Sequence, residues 1–246
     1  MQPGHNGGYN EHRDSHGRFA ASPTGLQARD SFTAQHWNGQ FGAITRSQSD
    51  AALHAENVRG VMGRAVLDQE LAVLTGAPDG ATVYLETMPG YIKMIVHHPW
   101  YVGASYRSIQ SNADGPSMTN GGLDLRDDAP QGVGTRIFAG QVRAASAAGL
   151  VDIGIIASGF QGSPYNGYYT WPRLGFRGNI SPGRQKEIAD ATGIHATTVH
   201  ELMRTPEGRG AWLTHGAETH MAFDLAQGSE SQRVLAAYME AKGITV

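Results

Sequence analysis

The sequence predicts an α+β fold with an α/β crossover: a mixed, mostly antiparallel sheet with helices on both faces, an extended N-terminal arm and a helical C-terminal extension. Three observations predict it. Residues 81–87 and 91–97 alternate or run apolar and β-branched around Met88-Pro89-Gly90, the pattern of a hairpin. Leu123–Leu125, a glycine turn, a helical pattern over 134–148 and an apolar run over 150–157 follow β-α-β logic. Beyond residue 178, Ser181-Pro182 and Thr205-Pro206 each pair a capping residue with a first-turn proline.

In chain order, residues 1–50 read as an extended or disordered arm, rich in Gly, Asn, Ser, Gln, His and Arg, yet carrying Phe19, Phe32, Trp37 and Phe41. Residues 51–178 form the main domain and 179–246 a mostly helical extension. Leu53, Val58, Val61, Met62, Val66, Leu67, Leu71 and Leu74 recur near a 3.6 period, predicting one helix over Ala51–Thr75 that ends at Gly76. Pro78-Asp79-Gly80 is a turn. Trp100–Gln110 reads as a strand, Asn112–Gly122 as turn-rich, and Leu123-Asp124-Leu125 as a short strand. The helix over 134–148 places Ile137, Phe138, Val142, Ala145 and Ala148 on its inner face and stops at Gly149. The extension holds helices from Ser181 to Thr192, from Thr205 to Gly216 and from Ser231 to Lys242, with a strand over Thr219–Leu225.

Composition excludes several classes. The chain has 246 residues, 40% apolar and 17% charged, as expected of a globular protein, with 33 glycines demanding many turns. A net charge of −3 gives no electrostatic footprint for nucleic acid or an anionic membrane. The absence of cysteine excludes disulfides, thiolate metal sites and cysteine nucleophiles. No run reaches the ~20 apolar residues of a membrane span. Zinc is not expected: adjacent His97 and His98 point to opposite strand faces, and the five-residue spacings of His195/His200 and His215/His220 converge poorly on a helix.

Gln131-Gly132-Val133-Gly134-Thr135 carries the chemistry. A glycine turn opening a helix leaves backbone N–H groups unpaired at the positive end of the helix dipole, a fit for phosphate or pyrophosphate. With the following strand and the aromatic run Asn166–Phe176, it resembles the GCN5-related N-acetyltransferase (GNAT) fold over roughly Ala81–Phe176. The resemblance implies acetyl-CoA as cofactor, with Gln131, Gly132, Val133, Gly134 and Thr135 around the pyrophosphate. It implies a pantetheine arm passing Leu123–Leu125 and Ile155–Ala157, with Asn166 contacting it. Two positions depart from the family pattern. Ala129 stands where Gln or Arg is usual, and Trp171 stands where the family commonly has the Tyr that protonates the departing thiolate. An indole N–H has no accessible pKa and cannot serve as that acid. Tyr168 and Tyr169 lie within one helical turn of it. Glu86, His97, His98 and Asp124 are the candidates for a base on the amine substrate, and none stands out.

Arg13-Asp14-Ser15-His16-Gly17-Arg18-Phe19 resembles a short segment near the start of some tailed-phage head and internal virion proteins. That implies an arm docking, through residues 1–45, on a protein partner or on further copies of the chain. Two functions follow. One is an acyl-CoA-dependent N-acyltransferase with an undefined amine acceptor; the other is a GNAT-like structural or virion-associated protein without catalysis. The expected location is cytoplasmic, or the virion for a phage protein.

Overall fold

A computed structural model describes residues 37–245. The Arg13–Phe19 segment and the first 36 residues of the expected arm lie outside the described residues. Among those described, seven strands and eight helices make an α+β fold, and they divide into two compact units. One holds residues 37–151 and 239–245; the other holds 152–238.

The first unit contains β1 (Ala43–Arg46), α1 (Ala51–Met62), α2 (Asp68–Val73), β2 (Thr82–Met88), β3 (Tyr91–His97), β4 (Ser105–Asn112), β5 (Gly115–Gly121) and α3 (Val133–Ala148). β1 pairs parallel with β2, and β2 through β5 form an antiparallel meander. Strand alternation sends Val83, Leu85, Ile92, Met94, Val96, Ile109 and Met118 to one face, where all are buried. α1 crosses β2 to β5 on that face. α3 reaches the same face, its Gln141 side chain meeting Asn120 and Met118 of β5. Across the strands, Tyr84, Met88 and Tyr106 are exposed.

Five expectations change here. The single helix over Ala51–Thr75 is two helices: Gly63 caps α1 in the left-handed region, its N–H bonding Arg59 O, and α2 restarts at Asp68. The apolar period hid the break because both helices bury the same side, Val58, Val61 and Met62 in α1 and Leu71 in α2. Asn112–Gly122 contains β5, whose sequence Gly-Pro-Ser-Met-Thr-Asn-Gly has little β-propensity and is held by pairing with β4. The strand expected from Trp100 begins at Ser105, and Leu123–Leu125 reduces to one bridge between Leu125 and Tyr101. Residues 43–46, within the expected arm, form β1, and Trp37 Nε1 donates to Gly76 O at 3.2 Å.

The second unit contains β6 (Asp152–Ala157), α4 (Gly167–Arg173), α5 (Pro182–Thr192), α6 (Val199–Met203), α7 (Pro206–His215), β7 (Thr219–Asp224) and most of α8 (Glu230–Lys242). β6 and β7 are antiparallel, with Ile153 opposite Phe223. Trp212, Phe176, Phe223, Val199 and Leu202 are its core. The expected helices and strand of this region are present, along with α6, too short to show a period and fixed by a Thr198–Glu201 capping box. No helix of the described residues is long and apolar enough to cross a membrane.

Candidate functional site

The N-terminal turn of α3 is built from its glycines. Gly132 is the N-cap at φ 77°, a left-handed conformation that glycine adopts without a Cβ penalty. Val133 N donates to Pro130 O and Arg136 N to Gly132 O. The N–H groups of Gly134 and Thr135 meet no acceptor among the described residues, and no side chain caps the helix. A sixteen-residue helix therefore ends in open donors at its positive pole. The glycines also have packing roles: a Cβ on Gly134 would lie 3.2 Å from Leu125 Cδ1, and one on Gly132 3.4 Å from Ile244 Cδ1. Arg136, one turn further along and 3% exposed, donates from Nη1 to Thr245 O at 2.7 Å; burial lowers its pKa. Gln131 is exposed beside the turn.

Asn166 belongs to the other unit. It precedes α4, its Oδ1 accepting from Thr170 Oγ1 at 3.2 Å and its carbonyl from the N–H groups of Tyr169 and Thr170. Trp171 stacks edge-on against Phe176, ring centroids 5.2 Å apart. Tyr168 is buried, its hydroxyl donating to Leu213 O at 2.9 Å while its carbonyl accepts from Trp212 Nε1 at 2.8 Å. Tyr169 sits under Arg173, 5.6 Å from the ring centroid. Through its hydroxyl and carbonyl Tyr168 ties α4 to α7.

The four base candidates fall into two groups. Glu86 and His97 line one hollow on the exposed face of β1–β3, of about 460 Å³, with Thr45, Tyr84 and Ile95. There Glu86 pairs with Lys93 at 3.2 Å and His97 stands edge-on to Tyr84. His98 and Asp124 lie in the loops at the end of the sheet nearer the turn. His98 Nδ1 accepts from Trp100 N, and Asp124 O accepts from Val102 N. Leu125, next to Asp124, is the residue that touches Gly134.

Two clusters gave no sequence signal, because their members are brought together from separate elements. Buried His54 of α1 contacts Asp68 Oδ1 through Nε2 at 2.9 Å and Thr87 Oγ1 through Nδ1 at 3.3 Å, and Asp68 also pairs with Arg46. Thr87 is 7% exposed, so this arrangement is a clamp between α1, α2 and β2. The second cluster, Tyr101 with Arg107, is buried at the start of β4. Among the described residues no group of three or more His, Cys, Asp or Glu is placed to hold a metal ion. His200 meets Glu230 and Arg204, whereas His215 meets Glu187. No protein-family model matches the chain, and no curated protein resembles it significantly.

Proposed function

We propose that this protein binds an acyl-CoA at the N-terminus of α3 and transfers the acyl group to an amine, in the manner of a GNAT-like N-acyltransferase. The observation that carries this reading is the pair of open N–H groups, Gly134 and Thr135, behind a left-handed Gly132. Bound acyl-CoA supplies a thioester donor. The amine nitrogen forms the new C–N bond as the C–S bond breaks, and one proton leaves nitrogen while one reaches sulfur. Asp124 and His98 are the base candidates nearer the turn. The second reading is a GNAT-like protein without catalysis, docking on partner subunits through its N-terminal region. Trp171 at the acid position favours it, as does the Tyr168 hydroxyl committed to Leu213 O.

Thermal shift with acetyl-CoA tests the binding, because a ligand selective for the native state raises Tm by mass action. Gly134 is a poor position to mutate, since any side chain meets Leu125. Thr135→Glu is better: a carboxylate in the first turn favours the helix by about 0.3–1 kcal/mol but repels a pyrophosphate. The expected result is a shift in the wild type that Thr135→Glu abolishes. No shift at millimolar acetyl-CoA overturns the proposal; a shift without transfer to any of a panel of amines selects the second reading.

A further inference from the structure

Among the described residues, Asn precedes Gly at Asn38, Asn120 and Asn166. Such a pair is open to reaction with itself, because glycine has no side chain to shield its backbone nitrogen from the preceding amide. What holds the two groups decides the outcome, and the three pairs differ. Asn120 is 6% exposed, and both ends of its amide are bonded to Gln141, at 2.7 and 2.9 Å. Asn166 Oδ1 accepts from Thr170 Oγ1, and its carbonyl accepts the first N–H groups of α4. A Cβ on Gly167 would lie 3.0 Å from Ser158 O, so that pair is packed on backbone. Asn38, ahead of β1, is exposed. Gly39 is left-handed at φ 70°, a conformation glycine takes without strain, and its N–H meets no acceptor among the described residues.

The chain on either side of Gly39 N is held. Asp79 Oδ1 accepts the N–H groups of Asn38 and Gln40, both at 2.9 Å, and its Oδ2 accepts from Asn38 Nδ2 at 3.1 Å. Gly39 O accepts from Gln69 Nε2 at 2.6 Å. Of the three successive N–H groups from Asn38 to Gln40, the glycine's alone is unused, and it is the nucleophile the reaction needs. We propose that Asn38 is a site of spontaneous deamidation, a slow modification that loosens the N-terminal anchor of the first unit. Gly39 N bonds to Asn38 Cγ as the Cγ–Nδ2 bond breaks, and ammonia leaves with the proton from Gly39 N. Water then opens the cyclic imide at one of its two carbonyls, leaving aspartate or isoaspartate with no change of oxidation state. Either product replaces the amide beside Asp79 with a negative charge, so a donor–acceptor contact becomes a like-charge one. Isoaspartate also adds a main-chain carbon between β1 and Trp37, whose Nε1 is bonded to Gly76 O. The site stands apart from the acyl-CoA reading and does not depend on it.

The test holds the full chain in warm, mildly alkaline buffer and maps it by peptide mass spectrometry, with a urea-unfolded sample as reference. The folded chain should gain one mass unit at Asn38, largely as isoaspartate, while Asn120 and Asn166 react only in urea. Asn38→Gln should stop the gain, since its longer side chain closes a larger and slower ring. No gain at Asn38 in the folded chain, or equal rates at the three asparagines, overturns the site. Asn38→Asp reproduces one product directly. Its Tm should fall by about 2–4 °C, and adding Asp79→Asn should recover part of the loss by removing the repulsion. An unchanged Tm in Asn38→Asp overturns the loosening of the anchor.

Discussion

Gly76 and Gly132 share a left-handed backbone, with φ 66° and 77°, but not their neighbours. A Cβ on Gly76 would sit 2.1 Å from Ile137 O, where α3 passes the end of α2; on Gly132 it would meet only Ile244, at ordinary contact distance. Gly132→Ala should therefore cost only the left-handed penalty of about 1–2 kcal/mol. Gly76→Ala adds a backbone collision and should exceed about 4 kcal/mol, among the largest single-residue losses. Urea denaturation of both variants checks this, and equal losses would mean the α2–α3 approach is loose. At Tyr168 the hydroxyl bonds a backbone carbonyl in the core. Tyr168→Phe should cost about 0.5–1.5 kcal/mol and leave any acyl-transfer kcat unchanged. A large fall in kcat at unchanged stability would instead make this phenol the acid that Trp171 cannot be.

At the scale of elements, α3 is registered on the sheet by one reciprocal amide pair. Asn120 Nδ2 donates to Gln141 Oε1 at 2.7 Å, and Gln141 Nε2 donates to Asn120 Oδ1 at 2.9 Å, both residues being buried. Gln141→Leu strands the Asn120 amide and should cost about 1–3 kcal/mol. The double variant Asn120→Leu/Gln141→Leu should lose less than the sum of the two singles, because neither polar group is then left unpaired. Simple additivity in denaturation midpoints would show that the pair is not coupled. Helix α6 responds to acid. Burial lowers the pKa of His200 below its ordinary 6.5, against the pull of Glu230, whose Oε2 lies 3.1 Å from the ring Nε2. Burial also works against ionisation of Glu230 and is the largest single influence on it. The hydrogen bond from Arg204 and the charges of His200, Arg204 and Arg177 together outweigh it and hold the carboxyl below its usual range. The unfolded chain thus binds the His200 proton more tightly than the folded one. Stability should fall as pH drops below 6.5. His200→Gln should flatten that limb between about pH 5 and 6.5, as followed by Tm against pH; an unchanged slope would remove His200 as its source.

At the scale of the whole molecule, the N-terminal boundary matters most. Asp79 accepts the N–H groups of Asn38 and Gln40, and Gly42 N donates to Ala81 O. Trp37 and β1 are therefore part of the first unit. Deleting residues 1–36 should leave Tm within about 2 °C of the full chain. Extending the deletion through 46 removes the parallel strand and the Trp37–Gly76 bond and should lower Tm by more than about 5 °C. If the shorter deletion is as damaging as the longer, the folded unit begins before Trp37. The shorter deletion also separates assembly from stability, and loss of association at unchanged Tm would assign partner docking to residues 1–36.

The sequence by itself determined the elements whose period or punctuation is local: the β2–β3 hairpin, α3 with its glycine ends, the proline-started helices α5 and α7, and β7. Its glycine turn also located the open helix end that carries the proposed function. Tertiary structure alone decided the rest. β5 is a strand because β4 lies beside it, despite a turn-like sequence. β1 is a strand because β2 offers a free edge to residues that look like arm. The break at Gly63 was hidden because two helices bury one continuous apolar series. The clamp around His54 joins residues from separate segments. Neither spacing nor propensity records such meetings, because burial and partnership belong to the packed chain and not to any one stretch of it.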